Sequence, residues 1–515
     1  MPDAFERFFN ITELVNHLTQ YLAIKDVSRL ACTSRKMHTQ CIPSLFRTLT
    51  GDDAFLRLFE STTFLHALSR NSQHVRELKL QQYELAFYYN CLLIFQDTDG
   101  CRRLEDVIAG PHAIKTLELS IVSEVSMKFA IFSRLFSCCP SSLRRLRLQF
   151  VRFRAVEDER GNVVAVTRRQ EPLINLKELS VWGILNWHSA IDIRSIFAHC
   201  PIINKLSLHD IKGHQETDEI EQFINKQCPR IESLNFGGHS WESFDPIPFR
   251  IMESLPPQQI TELVINRTVI LPRALFPTIV KECCNLNELL ISDEQHLDSY
   301  ITFDDALRNP WSCTKLIRLN LGISGCMLPV EFGVKPYYRR PTPITLTKVE
   351  TQHFSRLENL YRQIGSLTAL QELNLRMVSL GEDDPEDTST NRPGFLHHLS
   401  GLKQLRELRG SVSAETTETV VTMGWAEVNW MNQNWPELRQ ADFFEDIFKV
   451  RKQFQWLQDK RTSEGRSRYE RVFDTTELVN HLAQHFASKN ILRLTRTSSR
   501  IHRQLSVNRW SPTYS

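Results

Sequence analysis

The chain has 515 residues, 41% of them hydrophobic and 24% charged, with a formal charge of +2. That length exceeds what one hydrophobic core can serve, so several domains or a repeat array are expected. The balanced charge gives no global bias toward nucleic acid or a membrane surface.

The start, MPDAFERFFNITELVNHL, lacks the basic opening and apolar run of a secretory leader. No apolar run of about 18 residues suggests a spanning helix. The 12 cysteines are then expected as buried thiols, not as a disulfide framework. The sequons at Asn10 and Asn266 are expected to be chance matches. An intracellular protein of the cytoplasm or nucleus follows from this reading.

Residues 1–49 predict a small helical domain. A helix beginning at Thr12 carries Leu14, Leu18 and Tyr21 or Leu22 on one face. Asp26 is placed to cap a second helix, DVSRLACTSRKMHTQC, with Val27, Leu30, Ala31 and Met37 turned inward. PSLFRTL closes the domain at 43–49. A module of about forty residues is too small to stand alone, so it should pack on a neighbour or a partner. Residues 50–73 are expected as a helical linker or solenoid cap.

From 74 to 445 one phrase recurs. It reads VRELKL at 75–80, IKTLELS at 114–120, LRRLRLQF at 143–150, LKELSV at 176–181, INKLSL at 203–208 and IESLNF at 231–236. Further copies are ITELVI at 260–265, LNELLI at 286–291, LIRLNL at 316–321, LQELNL at 370–375 and LRELRG at 405–410. Apolar residues hold the first, fourth and sixth places, and the last two are spaced as in a half-buried strand. Between 114 and 316 the copies start 26 to 33 residues apart, room for one strand, one helix and two turns. IRSIFAHC before Pro201 and IEQFINKQC before Pro229 predict the helices. Cys139, Cys200, Cys228 and Cys284 recur near the helix ends, one per repeat. That period favours core packing over a metal site, which needs four convergent ligands. Within the pairs Cys138–Cys139 and Cys283–Cys284, one residue should face inward and the other sideways.

Insertions interrupt the array near 151–171, 322–355 and 380–395, the last acidic and rich in turn formers. On a solenoid, insertions tend to gather on the binding face. Trp425, Trp430 and Trp435 then cover the open end of the array, or form an aromatic patch for a ligand. A charged helix and linker follow at 446–470.

Residues 471–515 contain a second version of the opening. FNITELVNHLTQYLAIKDVSRLACTSRKMHTQ, from Phe9, and FDTTELVNHLAQHFASKNILRLTRTSSRIHRQ, from Phe473, align without gaps. Identities at exposed-type positions such as Asn16 and His17 indicate duplication of the module. The second copy has Arg496 where the first has Cys32, beside an expected inner face, and reads as a truncated, degenerate copy. From 461 to 515 there are ten Lys and Arg against four acids. The tail lacks interleaved aromatics, which disfavours nucleic-acid stacking.

The order of these features resembles F-box proteins with leucine-rich repeats, of a fungal type. Phe9, Ile11, Leu14, Leu18, Leu22, Asp26, Val27, Leu30, Cys32, Ser34, Arg35, Leu45 and Phe46 match the F-box pattern, with Met37 or His38 where tryptophan is common. The customary proline at its start is missing. The repeats match over roughly 70–445, without the usual asparagine after the strand. The expected fold is α/β: a helical F-box-like domain, an irregular leucine-rich-repeat solenoid, and a helical tail with a partial second copy. The resemblance implies a non-catalytic substrate receptor for ubiquitination. It would dock on a Skp1-like adaptor, and through it a cullin, while the repeats hold a target protein. The implied adaptor contacts are Ile11, Leu14, Leu18, Leu22, Val27, Leu30 and Met37, some of which must instead hold the module together. No catalytic motif, cofactor site or metal site is read from the sequence, and no residue pattern names the target. The alternative is a binding scaffold with no part in ubiquitination.

Overall fold

The computed structural model describes residues 12–49, 66–68, 70–80, 105–106, 108–109, 114–121, 136–152, 171–186, 197–212, 224–237, 247–266, 275–292, 301–326, 343, 345–376, 395–411 and 425–444. The chain divides into two compact units, Met1–Ile447 and Phe448–Ser515. All described residues belong to the first. The predicted charged helix, linker and second copy, most of the 50–73 linker, and the centres of the three predicted insertions lie outside the described residues.

Among its described residues the opening module has three helices: α1 (Thr12–Thr19), α2 (Ile24–Ala31) and α3 (Arg35–Leu45). The expected single helix after Asp26 is therefore two. Ser34 breaks it, because its extended backbone starts α3 and its side chain accepts a hydrogen bond from the Met37 N–H at 3.1 Å. Asp26 is not a cap. Ala23 holds that place without a side-chain bond, and Asp26 sits in the first turn, paired with Arg29 at 3.0 Å. Nor does Pro43 open a new element, since it lies inside α3. Val15, Val27, Ala31, Met37 and Cys41 form the module's core, with Leu22, Leu30 and Leu45 packed against it.

The rest is a mixed α/β array around one open parallel sheet. Its strands are β1 (Thr48–Leu49), β2 (Glu77–Leu80), β3 (Thr116–Ile121), β4 (Arg145–Arg152), β5 (Glu178–Asn186), β6 (Lys205–Lys212) and β7 (Ser233–Gly237). They continue as β8 (Glu262–Asn266), β9 (Glu288–Ser292), β10 (Ile301–Thr302), β11 (Arg318–Ser324), β12 (Glu372–Arg376), β13 (Glu407–Ser411) and β14 (Gln440–Phe444). Thirteen strands pair in chain order from β1 to β14, while β10 lies off this path against the end of β11.

All eleven copies of the phrase become strands, and their register is continuous. Leu49, Leu78, Leu117, Leu146, Leu179, Leu206, Leu234, Leu263, Leu289, Leu319, Leu373 and Leu408 lie side by side, strand to strand. All are buried. The first place of each phrase, from Val75 and Ile114 to Leu405, is buried too. Each such leucine contributes about 1.5–3 kcal/mol, and the ladder fixes the register, since a one-residue slip would turn it outward. Turns between repeats use one rule. The carbonyl of the residue immediately before a strand accepts two successive N–H groups from the next repeat: Arg47 O from Arg76 and Glu77, Arg76 O from Lys115 and Thr116, and so on to Arg406 O from Arg439 and Gln440. Strands β1 and β14 extend the sheet beyond the recognised copies. LRQADF supplies β14 with Ala441 in the leucine row, which weakens its sequence signal.

Helices connect the later strands: α4 (Ile247–Ser254), α5 (Leu275–Glu282), α6 (Phe303–Leu307), α7 (Lys348–Gly365) and α8 (Trp425–Asn434). The insertion expected at 322–355 is shorter than its predicted span. Residues 322–324 belong to β11, and α7 starts at Lys348. A capping box fixes that start: the Glu350 N–H donates to Thr347 Oγ1 and the Thr347 N–H to Glu350 Oε2. Likewise β4 runs to Arg152, inside the insertion expected from 151.

Cys139, Cys200 and Cys228 are buried, and the Cys228 thiol donates to the Cys200 carbonyl one repeat back at 3.4 Å. In the later pair the inward residue is Cys283, while Cys284 is exposed, correcting the expected series. At the far end Trp435 is fully buried, donates from Nε1 to the Leu399 carbonyl at 3.0 Å, and meets Trp430 edge to face at 5.3 Å. These two tryptophans pack the last described repeat.

Candidate interaction surfaces

Burial sorts the residues of the helical module. Val27 and Met37 are core. Leu22 and Leu30 are half-buried against that core, and Leu18 is half-buried. Leu14 is exposed, and Ile11 lies outside the described residues. In α1 it is Val15 and Thr19 that face inward, with the Thr19 hydroxyl 2.6 Å from that of Ser44. The stripe of Leu14, Leu18 and Tyr21 therefore runs along the other side.

Exposure at this stripe is high for apolar groups. Leu14 is 37% exposed, Tyr21 73% and Ile24 56%. Tyr21 and Ile24 flank the α1–α2 turn, and the His17 ring holds the Tyr21 ring edge-on at 5.1 Å. Among the described residues, half of the six large apolar side chains that are exposed lie within the eleven positions 14–24. Single exposed apolar residues need no explanation, whereas a cluster beside a small core marks a surface that something covers. Sequence reasoning named Leu14 and Leu18 and missed Tyr21 and Ile24 as contacts. The spacing of 14, 18 and 21 is helical and carried that signal for Tyr21. Ile24 belongs to the next helix, and no periodicity connects it to the stripe.

The second surface is the outward face of the sheet. Three rows of side chains cross the strands there, between the buried rows. The row at the strand entrances is charged and largely paired. Arg145 meets Glu178 at 3.0 Å, Lys205 reaches Glu262 at 2.7 Å across β7, and Arg318 bonds Glu288. The Ser233 hydroxyl adds a bond to Glu262 at 2.8 Å. One place further, Arg147 lies between Glu118 and Glu178, and Lys79 meets Glu118 at 3.2 Å. Each half-exposed pair is worth under about 1 kcal/mol.

From β4 to β9 the last row holds no Asp, Glu, Lys or Arg. In register across β4 to β9 it holds Gln149, Trp182, His209, Gly237, Asn266 and Ser292. Trp182 is the large exposed residue here. Its ring stacks at 4.1 Å on buried His209, and its Nε1 donates to Ser180 Oγ at 2.8 Å. Gly237 makes room for this stack, because a Cβ there would lie 2.4 Å from His209 Nδ1. Ser180 and Ser207, on the neighbouring row, are sunk below the surface.

Four buried thiols are shifted away from the activation that nucleophilic chemistry needs. Burial pushes Cys228, Cys283 and Cys326 up to about 12 and Cys313 up to about 11. Among the described residues, no three or more of His, Cys, Asp and Glu are placed together to hold a metal ion, and no helix is long and apolar enough to cross a membrane. Compared with protein-family models and with curated proteins, the sequence matches none.

Proposed function

We propose that this protein is a non-catalytic adaptor with two binding surfaces. One is the apolar stripe of the helical module, which docks a Skp1-like adaptor and through it a cullin. The other is the outward face of the strand ladder, which holds a target protein for ubiquitination. In this reading the module is an F-box and the ladder a set of leucine-rich repeats.

The carrying observation is the exposure of Leu14, Tyr21 and Ile24 on a module whose core, among the described residues, is five buried side chains. Full burial of such a side chain is worth about 1.5–3 kcal/mol, and at 37%, 73% and 56% exposure Leu14, Tyr21 and Ile24 leave part of that for a docked partner to recover. The ladder supports the second half of the reading: a long parallel sheet with one solvated face offers an extended surface of fixed geometry. Neither surface needs a reacting group.

The test is capture of a purified Skp1-like adaptor by the full-length protein. Binding is expected, and Leu14→Asp should abolish it without altering the amide exchange of residues 12–49. Failure of the unaltered protein to capture any such adaptor rejects the ligase reading and leaves a binding scaffold with a different partner.

A further inference from the structure

The duplicated segment allows the two copies to be compared position by position against the burial seen in the first. The five core residues Val15, Val27, Ala31, Met37 and Cys41 correspond to Val479, Ile491, Thr495, Ile501 and Leu505. Four of these five remain apolar and none is charged. Cys32, the position of Arg496, is exposed and not on an inner face, so that substitution carries no burial cost. The exposed apolar positions behave differently. Leu14 is kept as Leu478, but Tyr21 becomes His485 and Ile24 becomes Ser488. Exposed polar positions such as His17, Gln20, Lys25 and Arg29 are unchanged.

The change is therefore selective. Four of the five core positions stay apolar, the exposed polar positions stay polar except Ser28, which becomes Leu492, and Tyr21 and Ile24, the two most exposed apolar residues of the module, turn polar. An exposed tyrosine and isoleucine are useful where a partner covers them and costly in water where none does. We infer that Tyr21 and Ile24 are the residues that make the first copy, and not the second, the adaptor-docking site, so that each chain takes up one adaptor. This inference rests on the docking role proposed above, and it names the determinants of that site.

Full-length protein titrated with a purified Skp1-like adaptor, read by sedimentation and native mass spectrometry, tests it. The unaltered chain should bind one adaptor. The double variant Tyr21→His/Ile24→Ser, which installs the second copy's residues, should weaken binding about tenfold or more, as loss of two interface anchors does. Amide exchange over 12–49 should stay unchanged, because both side chains are exposed. The conservative pair Tyr21→Phe/Ile24→Leu should bind within about threefold of the unaltered chain. A stoichiometry of two adaptors per chain, or a Tyr21→His/Ile24→Ser variant that binds as tightly as the unaltered protein, overturns the inference while leaving the docking role intact. Absence of binding by the unaltered chain overturns the docking role and this inference together.

Discussion

Gly365→Ala sets two effects of opposite sign against each other. Gly365 is the last residue of α7, where replacing glycine by alanine in a free helix stabilises by up to about 1 kcal/mol. Here, though, a Cβ would lie 2.0 Å from the His398 carbonyl oxygen and 3.0 Å from its carbon. Ordinary contact begins near 3.4 Å, so the two backbones must part by about 1.4 Å (3.4 less 2.0). Neither side can give easily. The clashing atom is main chain, and Gly401 presses back with a would-be Cβ only 2.9 Å from the Gly365 carbonyl oxygen. Over-packing of this kind costs about 1–3 kcal/mol, and an unyielding backbone contact belongs at the upper end. The net expectation is a loss of about 1–2 kcal/mol, a factor of about 5–30 in local opening. A repeat array does not unfold as one unit, so the reading should be local. Amide exchange of the turn at 395–402, held by the bonds His398 N–H to Phe395 O and Leu402 N–H to Leu399 O, should quicken by that factor. Exchange over β2 to β5 should not move. An unchanged or slower turn would mean that helix propensity wins and that the close approach of α7 is not a constraint.

Met37→Ala empties part of the small helical core and should cost about 2–5 kcal/mol. Amide exchange over 12–49 should show the module opening, in contrast to Leu14→Asp. In the ladder, Leu206→Ala should open β5 to β7 to exchange at a similar cost, whereas Lys205→Ala, its neighbour on the solvated face, should change local exchange by less than about fivefold, as expected of a half-exposed pair. His353 gives a pH dependence. Burial, and to a lesser degree the cation of Arg356, hold its pKa below the ordinary 6.5, against the opposing bond to the Cys326 carbonyl at 2.9 Å. The folded state thus prefers the neutral ring, and the unfolded chain takes up the proton first. Stability around α7 is fully present above about pH 6.5 and falls as the pH drops toward the depressed folded value. His398, depressed by burial and by His397, acts in the same direction. Thermal unfolding from pH 7.5 to 5 should decline less steeply for His353→Gln than for the unaltered protein, and parallel slopes would refute this assignment.

The strand ladder was legible because its signal is periodic and dense. An apolar residue at the first, fourth and sixth places leaves one register open, and eleven copies agree on it. The start of α7 was legible in principle as Thr347-Lys-Val-Glu350, a capping-box pattern hidden inside an apparent insertion. The break at Ser34 was of the same kind, a capping serine within an unbroken apolar stripe. Other features are set by tertiary contact and leave no local mark. The choice between Cys283 and Cys284 depends on the phase of a helix end. The outward turn of Leu14 depends on α1 packing through Val15 and Thr19, two residues that a hydrophobicity reading ranks below leucine. For that reason amphipathic spacing found the stripe but could not say which side of α1 it occupies.

The junction of module and sheet decides how the two surfaces are held. Strand β1 follows the end of α3 after two residues, Phe46 and Arg47, and pairs with β2 through Leu49 beside Leu78. The Arg47 carbonyl takes the Arg76 and Glu77 N–H groups by the same rule that joins every later repeat. The helical module is thus continuous with the sheet as its first rung, with no free linker between them. A module of about forty residues gives little stability alone, and the sheet supplies the support that its size demands. The same connection fixes the exposed stripe of α1 relative to the strand face. A flexible tether would let a bound target sample many positions relative to a docked adaptor, whereas a shared strand restricts both to one geometry. Within the adaptor reading, that rigidity is what would hold a target at a set distance from the machinery docked at Leu14, Tyr21 and Ile24.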